Sequence, residues 1–195
     1  EQLMRTKMPV GAYEKSQVRA IAEELGLYVA HKPDSMEICF VPDQDYARFI
    51  EENSGKIPEG NFVTTDGKIV GRHRGITHYT VGQRKGLNLS MGKPVFVLEI
   101  RPETNEVVIG DGTEVYADRL ICSDLNFMSV PDFPDDFPVV AKIRYNHRGT
   151  KAHVRRIGAD RAEVIFEEPV RAVTPGQAVV FYDGEYVAGG GTIIK

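Results

Sequence analysis

Residues 151–166, KAHVRRIGADRAEVIF, give the clearest indication of how this chain folds. Apolar and polar side chains alternate on both sides of Gly158-Ala159-Asp160, which is typical of a turn, so the stretch predicts an antiparallel hairpin. Three more segments of the same character flank it: Val139–Asn146, Ala178–Tyr182 and Tyr186–Ile194. Five short strands in about sixty residues favour a small closed antiparallel β-barrel, which we place at residues 138–195.

The chain before residue 60 has a helical pattern instead. Apolar residues recur at helical spacing in Glu14–Leu25 and Gln44–Asn53, and Gly26 is placed to end the first helix. A short strand is predicted at Tyr28–Ala30, between the two helices. We therefore expect a small α/β part at residues 1–45.

A group of short strands separates the helices from the barrel. Asp66-Gly67 favours a tight hairpin turn between Phe62–Thr64 and Lys68–Val70. Pro94–Ile100 alternates well and is expected to pair with Glu106–Gly110. These segments predict a sheet.

Two further strands are predicted at Leu120–Ser123 and Asn126–Ser129. With the second helix they complete a small central α+β domain at residues 46–130. The prolines of residues 131–138 resist both helix and central strand, so this segment is predicted to be a linker to the barrel. The predicted fold is mainly β.

The composition of the 195 residues is that of an ordinary globular protein. Its apolar share of 42% excludes disordered, collagen-like and coiled-coil chains. No apolar run approaches the roughly 20 residues of a membrane helix, and the first residues lack the pattern of a signal peptide. Because two cysteines are too few for a disulfide scaffold, we expect a cytoplasmic protein without a membrane partner.

Charge is unevenly distributed along the chain. The sequence carries 24 Lys and Arg against 28 Asp and Glu, yet residues 68–93 and 141–156 contain several cations each and no acid. One such stretch can simply be a solvated face. Two of them, each interleaved with Tyr and Gly, favour a surface that meets the phosphates of a nucleic acid.

Few side chains indicate chemistry by themselves. Cys39 lies in a loop between the predicted helices, as either a small buried hydrophobe or a reactive thiol, whereas Cys122 is predicted to be a core residue. Gly189-Gly190-Gly191 lies in the last strand, which favours a bulge or a tight corner over a phosphate-binding loop. The five histidines lack the spacing of a metal site, so no metal is expected in this portion.

Ordered motifs along the whole chain resemble the bacterial tRNA-specific 2-thiouridylases. They are Asp34-Ser35-Met36-Glu37-Ile38-Cys39-Phe40-Val41, Gly71-Arg72-His73-Arg74-Gly75, Tyr79-Thr80-Val81-Gly82-Gln83-Arg84-Lys85-Gly86-Leu87, and the barrel segments 141–145, 164–177 and 182–191. The ATP-pyrophosphatase domain of that family, with its Ser-Gly-Gly-x-Asp-Ser loop, has no counterpart among these residues. We therefore expect a C-terminal portion of a longer protein, in which residues 1–45 end the catalytic domain.

The resemblance implies a reaction. Members of the family replace the oxygen on carbon 2 of the wobble uridine of tRNA by sulfur, using ATP that the missing domain would bind. Cys39 matches the persulfide-carrying cysteine, which takes sulfur from the persulfide of a donor protein. Cys122 has no counterpart in the family motif. This portion alone is expected to be inactive, and we expect a monomer.

The resemblance also places Arg144, Tyr145 and Gln177 at the tRNA contact of the barrel. Arginine can bind a phosphate through two hydrogen bonds, and tyrosine can stack on a base. Neighbours within a strand point to opposite faces, so of Arg144 and Tyr145 we would give up Tyr145 first. Arg84 and Lys85, from the first acid-free stretch, are assigned to the tRNA backbone.

Two other interpretations stay open. The chain could be a stand-alone RNA-binding module in which Cys39 is inert, or a protein-interaction piece that docks a sulfur donor. A reading frame that extends upstream through a Ser-Gly-Gly-x-Asp-Ser loop favours the thiouridylase. A start codon near Glu1 favours the other two.

Overall fold

A computed structural model describes residues 2–34 and 38–195, which form two compact units, 1–45 and 46–195. The first unit contains helices α1 (Gln2–Arg5) and α2 (Lys15–Glu24), followed by turns. The predicted first helix is confirmed by α2. It ends as expected at Gly26, which has a left-handed backbone with φ of 66°.

The predicted strand at Tyr28–Ala30 is wrong. These residues form consecutive turns, in which the N–H of Ala30 donates to the carbonyl of Leu27 and the N–H of Lys32 to that of Val29, each at 3.0 Å. A strand needs a neighbouring strand to satisfy its backbone groups. The described part of the first unit contains no other strand that could pair with it.

The second unit begins with α3 (Tyr46–Ser54), which starts two residues later than predicted, since Gln44 has a left-handed backbone with φ of 60°. A sheet of the order β2-β1-β4-β3 follows, and a single 3₁₀ turn at Ile76–His78 lies between β2 and β3. Its strands are β1 (Gly60–Thr64), β2 (Ile69–His73), β3 (Phe96–Arg101) and β4 (Glu106–Gly110).

The pairing within this sheet confirms both predicted hairpins. β1 and β2 are antiparallel, as are β3 and β4, while β1 and β4 run parallel and join the two hairpins. The sheet buries Phe62, Val97 and Val107 in its own small core. His73 is also buried there, with its ring edge against Phe62 and Tyr79.

Six strands close the predicted antiparallel barrel, in the order β10-β5-β8-β7-β6-β9. They are β5 (Tyr116–Phe127), β6 (Phe137–Lys142), β7 (Thr150–Gly158), β8 (Arg161–Arg171), β9 (Ala178–Asp183) and β10 (Tyr186–Ile193). Alternate residues such as Val154, Val164 and Phe181 point inward and are fully buried. The fold is therefore mainly β, as predicted.

The segment 131–138 is not a linker between domains. Its two flanking strands, β5 and β6, both belong to the barrel. Phe133, within the segment, is buried in the barrel core, and its ring centroid lies 4.7 Å from that of Phe127 and 5.3 Å from that of Phe181. Aromatic burial thus anchors a stretch in which prolines prevent regular structure.

Gly189-Gly190-Gly191 accompanies irregular strand pairing, which agrees with the predicted bulge, and the strands also approach closely there. β10 pairs with β5 on one side and β9 on the other, and its register shifts against β5 between Gly190 and Thr192 and against β9 between Val187 and Gly189. A Cβ atom at Gly189 would collide with the Asn126 carbonyl, and one at Gly190 would lie 2.5 Å from the Val179 carbonyl. Any side chain here would push the neighbouring strands apart.

Candidate functional site

Three of the residues predicted to contact RNA lie together in one open pocket on the barrel. The pocket has a volume of about 670 Å³ and is lined by Arg144, Tyr145 and Gln177. Its other lining residues, to which the family resemblance assigned no RNA contact, are Lys142, Asn146, Ala178, Val180 and Tyr182. Arg84 and Lys85 are exposed, but they do not line this pocket.

The floor of the pocket is the outer face of two paired strands. In the register of β6 and β9, Lys142 lies opposite Val180, while the alternate residues Ala141 and Phe181 are buried inside the barrel. The Nζ atom of Lys142 lies 5.2 Å from the centroid of the Tyr182 ring, which places the ammonium over the aromatic face. This contact holds a cation within the pocket.

Arg144 and Tyr145 lie in the turn that follows β6, and not in a strand as predicted. Neighbours in a turn need not point to opposite faces, as neighbours in a strand do. Tyr145 is 95% exposed, so its whole ring is available for contact. Arg144 is the residue with a structural role, because its Nη1 donates to the carbonyls of Arg171 at 3.0 Å and Ala172 at 3.4 Å.

Gln177 lies in a turn whose backbone is fixed on both sides. Its N–H donates to the Thr174 carbonyl at 3.2 Å, and its own carbonyl accepts the N–H of Ile193 at 2.8 Å. The neighbouring Gly176 donates to the carbonyl of Ile193, also at 2.8 Å. These bonds use main-chain atoms only, so the side-chain amide of Gln177 can face the pocket with its donors and acceptor free among the described contacts.

The loop that carries Arg84 and Lys85 is braced by a single side chain. Gln83 accepts the N–H of Thr80 at 2.9 Å through Oε1, and donates to the Lys85 carbonyl at 2.9 Å through Nε2. The backbone of the loop also pairs with Val97, which donates to Gln83 and accepts from Gly82. The two exposed cations are thus presented by an ordered backbone.

Arg171 connects this loop to the pocket. Its Nη2 donates to the Gly82 carbonyl at 3.1 Å, and its guanidinium lies 5.3 Å from the centroid of the Phe96 ring. Its backbone carbonyl accepts Nη1 of Arg144. Both basic elements are therefore anchored at the end of β8.

Only some of the cations in the two acid-free stretches are neutralised by nearby carboxylates. Arg156 lies 2.6 Å from Asp132, and Arg155 lies 3.7 Å from Asp136. Within the described residues, no carboxylate oxygen lies within 4 Å of the cations that surround the pocket and the braced loop. These cations are Lys142 and Arg144 at the pocket and Arg84 and Lys85 on the loop, and the same is true of Arg148 and Lys151 elsewhere in the second acid-free stretch.

The described part of the first unit presents Cys39 as an exposed, free thiol. Within these 195 residues the thiol is therefore not packed as a small core hydrophobe would be. The preceding Ser35, Met36 and Glu37 lie outside the described residues. Asp34 is held by α2, because its Oδ1 lies 2.9 Å from Lys15 Nζ and 3.2 Å from Arg19 Nη2. The hydrogen bonds from Lys15 and Arg19 lower the pKa of Asp34.

Cys122 is fully buried, as predicted, and burial raises its pKa to about 11. Its Sγ lies 3.6 Å from the Ala162 carbonyl. Across the described ranges, no cluster of His, Cys, Asp and Glu has the arrangement needed to hold a metal ion. Nor is any helix in those ranges long and apolar enough to cross a membrane.

Comparison with known families explains the sequence motifs. Residues 1–43 match the tRNA methyl transferase HUP domain, residues 47–111 the tRNA methyl transferase PRC-barrel domain, and residues 117–193 the Aminomethyltransferase beta-barrel domain. Over the whole chain, 61% of the residues are identical to those of the tRNA-specific 2-thiouridylase MnmA of Lachnoclostridium phytofermentans. The chain belongs to the tRNA-specific 2-thiouridylase family.

Two other proteins that are named tRNA-specific 2-thiouridylase MnmA are also similar to it. The protein from Carboxydothermus hydrogenoformans is 53% identical over 100% of this chain, and that from Acetivibrio thermocellus is 55% identical over 99% of it. The matches cover 55% of the Lachnoclostridium protein and 54% of each of the other two. The chain thus spans about half the length of the curated relatives it matches.

Proposed function

We propose that this chain supplies the persulfide cysteine and tRNA-binding surfaces of an ATP-dependent tRNA sulfurtransferase, which converts the wobble uridine of tRNA to 2-thiouridine. The observation that carries the proposal is the pocket that gathers Arg144, Tyr145 and Gln177, next to cations without carboxylate partners among the described residues. An exposed thiol at Cys39 supports the catalytic half.

The chemistry of Cys39 is sulfur transfer. Its thiolate attacks the terminal sulfur of a donor persulfide, so that the donor leaves as a thiolate and Cys39 gains the sulfur as its own persulfide. ATP activates the uridine, since adenylation turns the oxygen on carbon 2 into a leaving group. Sulfur then bonds to carbon 2 as AMP leaves, and a second cysteine outside this chain attacks the Cys39 sulfur to form a disulfide. That attack either completes the transfer or first frees the sulfur as hydrosulfide.

The chemistry of the pocket side is phosphate and base recognition. The described hydrogen bonds of Arg144 use only Nη1, which leaves Nε and Nη2 for a phosphate while Nη1 fixes the orientation of the guanidinium. Tyr145 offers an exposed ring for stacking on a base. Arg84 and Lys85, on the loop braced by Gln83, add contacts to the sugar-phosphate backbone of the RNA.

The partners follow from this chemistry. They are tRNA and a persulfide-bearing sulfur donor, while ATP is bound by a part of the enzyme outside these 195 residues. The chain alone is then inactive. Two free thiols fit the reducing cytoplasm, where we place the enzyme.

The decisive experiment loads the full-length enzyme with sulfur. After incubation with a cysteine desulfurase and cysteine, mass spectrometry should find one added sulfur on the Cys39 peptide and none on the Cys122 peptide. Cys39→Ser should abolish tRNA thiolation and leave tRNA affinity nearly unchanged, whereas Cys122→Ala, as the control, should retain thiolation. Full thiolation by Cys39→Ser would overturn the catalytic assignment.

A further inference from the structure

We propose that the pocket on the outer face of β6 and β9 takes one unpaired nucleotide of the RNA, with Lys142 and Asn146 as additional binding residues and Tyr182 as a positioning residue. This inference rests on the proposed function, because it names the form of RNA that the same surface recognises. It gives a role in binding to Lys142, Asn146 and Tyr182, for which the family resemblance implied none.

The shape of the pocket favours an unpaired nucleotide over a duplex. Its volume of about 670 Å³ lies within the range of sites that enclose a small ligand. The bases of an A-form helix are stacked and paired, and side chains reach them only across a wide, shallow groove. A base that is splayed out of a loop can instead enter a concave site and expose both its face and its edge.

The walls of the pocket match the parts of such a nucleotide. Tyr145, which is 95% exposed, provides a flat ring for stacking. The amides of Gln177 and Asn146 carry both donors and acceptors for a base edge. Ala178 and Val180 form an apolar floor between these groups.

Lys142 supplies the charge inside the pocket. Its ammonium lies over the Tyr182 ring, 5.2 Å from the centroid. A residue of the barrel therefore holds the ammonium in position. No described carboxylate lies within 4 Å of it. The ammonium is therefore available to a phosphate or a base oxygen of the bound nucleotide, and Tyr182 acts through it.

The test compares two RNAs that carry the same number of phosphates, a hairpin with an unpaired loop and a fully paired duplex. Affinities of the 195-residue chain are measured by fluorescence anisotropy at one salt concentration. Lys142→Met, Tyr145→Ser and Gln177→Glu should each weaken binding of the hairpin by at least about fivefold, and change binding of the duplex by less than about twofold. Tyr182→Leu should act in the same direction as Lys142→Met and add nothing to it in the double variant.

Lys85→Met is the matched control, because it removes a phosphate contact outside the pocket and should weaken both RNAs alike. If wild type binds both RNAs but the pocket variants weaken both equally or neither, the inference is overturned and the proposed function stands. If wild type binds neither RNA, the proposed function itself fails. Displacement of the hairpin by free AMP at concentrations comparable to the RNA would assign the pocket to a mononucleotide and also overturn the inference.

Discussion

At the scale of single residues, the two thiols differ in the properties that control reactivity. Cys39 is exposed, whereas Cys122 is fully buried in the barrel with its pKa raised to about 11. Because the thiolate is the reacting form, Cys122 provides almost none at neutral pH. A chromogenic disulfide reagent should therefore modify one thiol of the native chain rapidly and the second only after denaturation. Cys39→Ser should remove the rapid phase, and a rapid phase that survives in this variant would contradict the assignment.

His73 makes the stability of the central sheet depend on pH. Burial lowers its pKa below the usual value, and the charge of Arg72 lowers it further, while the hydrogen bond to the Asn105 carbonyl opposes this shift. In the fold, its Nδ1 accepts the N–H of Gly75 at 3.1 Å, and its Nε2 lies 3.2 Å from the Asn105 carbonyl, to which it can donate. Protonation of Nδ1 would break the bond from Gly75.

The sign of this pH effect follows from proton counting. Below about pH 6.5, His73 binds a proton in the unfolded chain but not yet in the folded chain, so protonation stabilises the unfolded state relative to the folded state. The contribution of His73 to the free energy of unfolding is therefore complete above this pH. It is lost as the pH falls towards the lower pKa of the folded state. Urea midpoints should fall less with acidification in His73→Gln than in wild type. Equal slopes in the two proteins would disprove the effect.

At the scale of elements, alternation predicted most strands, and it failed at β5 for an identifiable reason. Two strands were expected because the pattern breaks near Asp124, which has a left-handed backbone with φ of 53°. The carboxylate of Asp160 accepts the N–H groups of Asp124 at 3.1 Å and Leu125 at 2.8 Å, so the strand continues through the break. A carboxylate from a turn 36 residues away cannot be inferred from local pattern.

Local sequence pattern also predicted the pocket only in part. Arg144, Tyr145 and Gln177 could be named from motifs, but Lys142 and Tyr182 could not, because their proximity results from the pairing of β6 with β9. Alternation indicates which residues of one strand face outward. It does not indicate which strands become neighbours in a closed barrel.

The loop that carries Arg84 and Lys85 provides a test at this scale. Gln83→Leu removes two side-chain hydrogen bonds, to the Thr80 N–H and the Lys85 carbonyl, and changes no charge. We expect the free energy of unfolding, measured in urea, to fall by about 1–2 kcal/mol. We also expect the affinity for tRNA to fall, because the cations are no longer held in place. Gln83→Glu, which keeps the acceptor for Thr80, should lose less stability. Unchanged affinity in Gln83→Leu would show that the brace does not serve binding.

At the scale of the whole molecule, the net charge of the protein is −4, although the cations that line the pocket have no described carboxylate partner. Asp136 and Asp132 pair with Arg155 and Arg156, whereas no described carboxylate pairs with Arg144 or Lys142 at the pocket. We therefore expect the attraction to RNA to be confined to the region of the pocket and to arise mainly from the release of counterions. A protein of this net charge would otherwise repel a polyanion.

Salt dependence tests this distribution directly. The affinity of the chain for tRNA should fall steeply as salt is added, with a linear relation between the logarithms of the two quantities. Arg144→Ala should weaken binding by about 1–2 kcal/mol and reduce the salt slope by about one unit, because one phosphate contact is lost. Arg155→Gln is the control, since its guanidinium already lies against Asp136 and the slope should barely change. A flat response to salt in wild type would mean that the unpaired cations do not meet phosphates, and the assignment of this surface to RNA would fall with it.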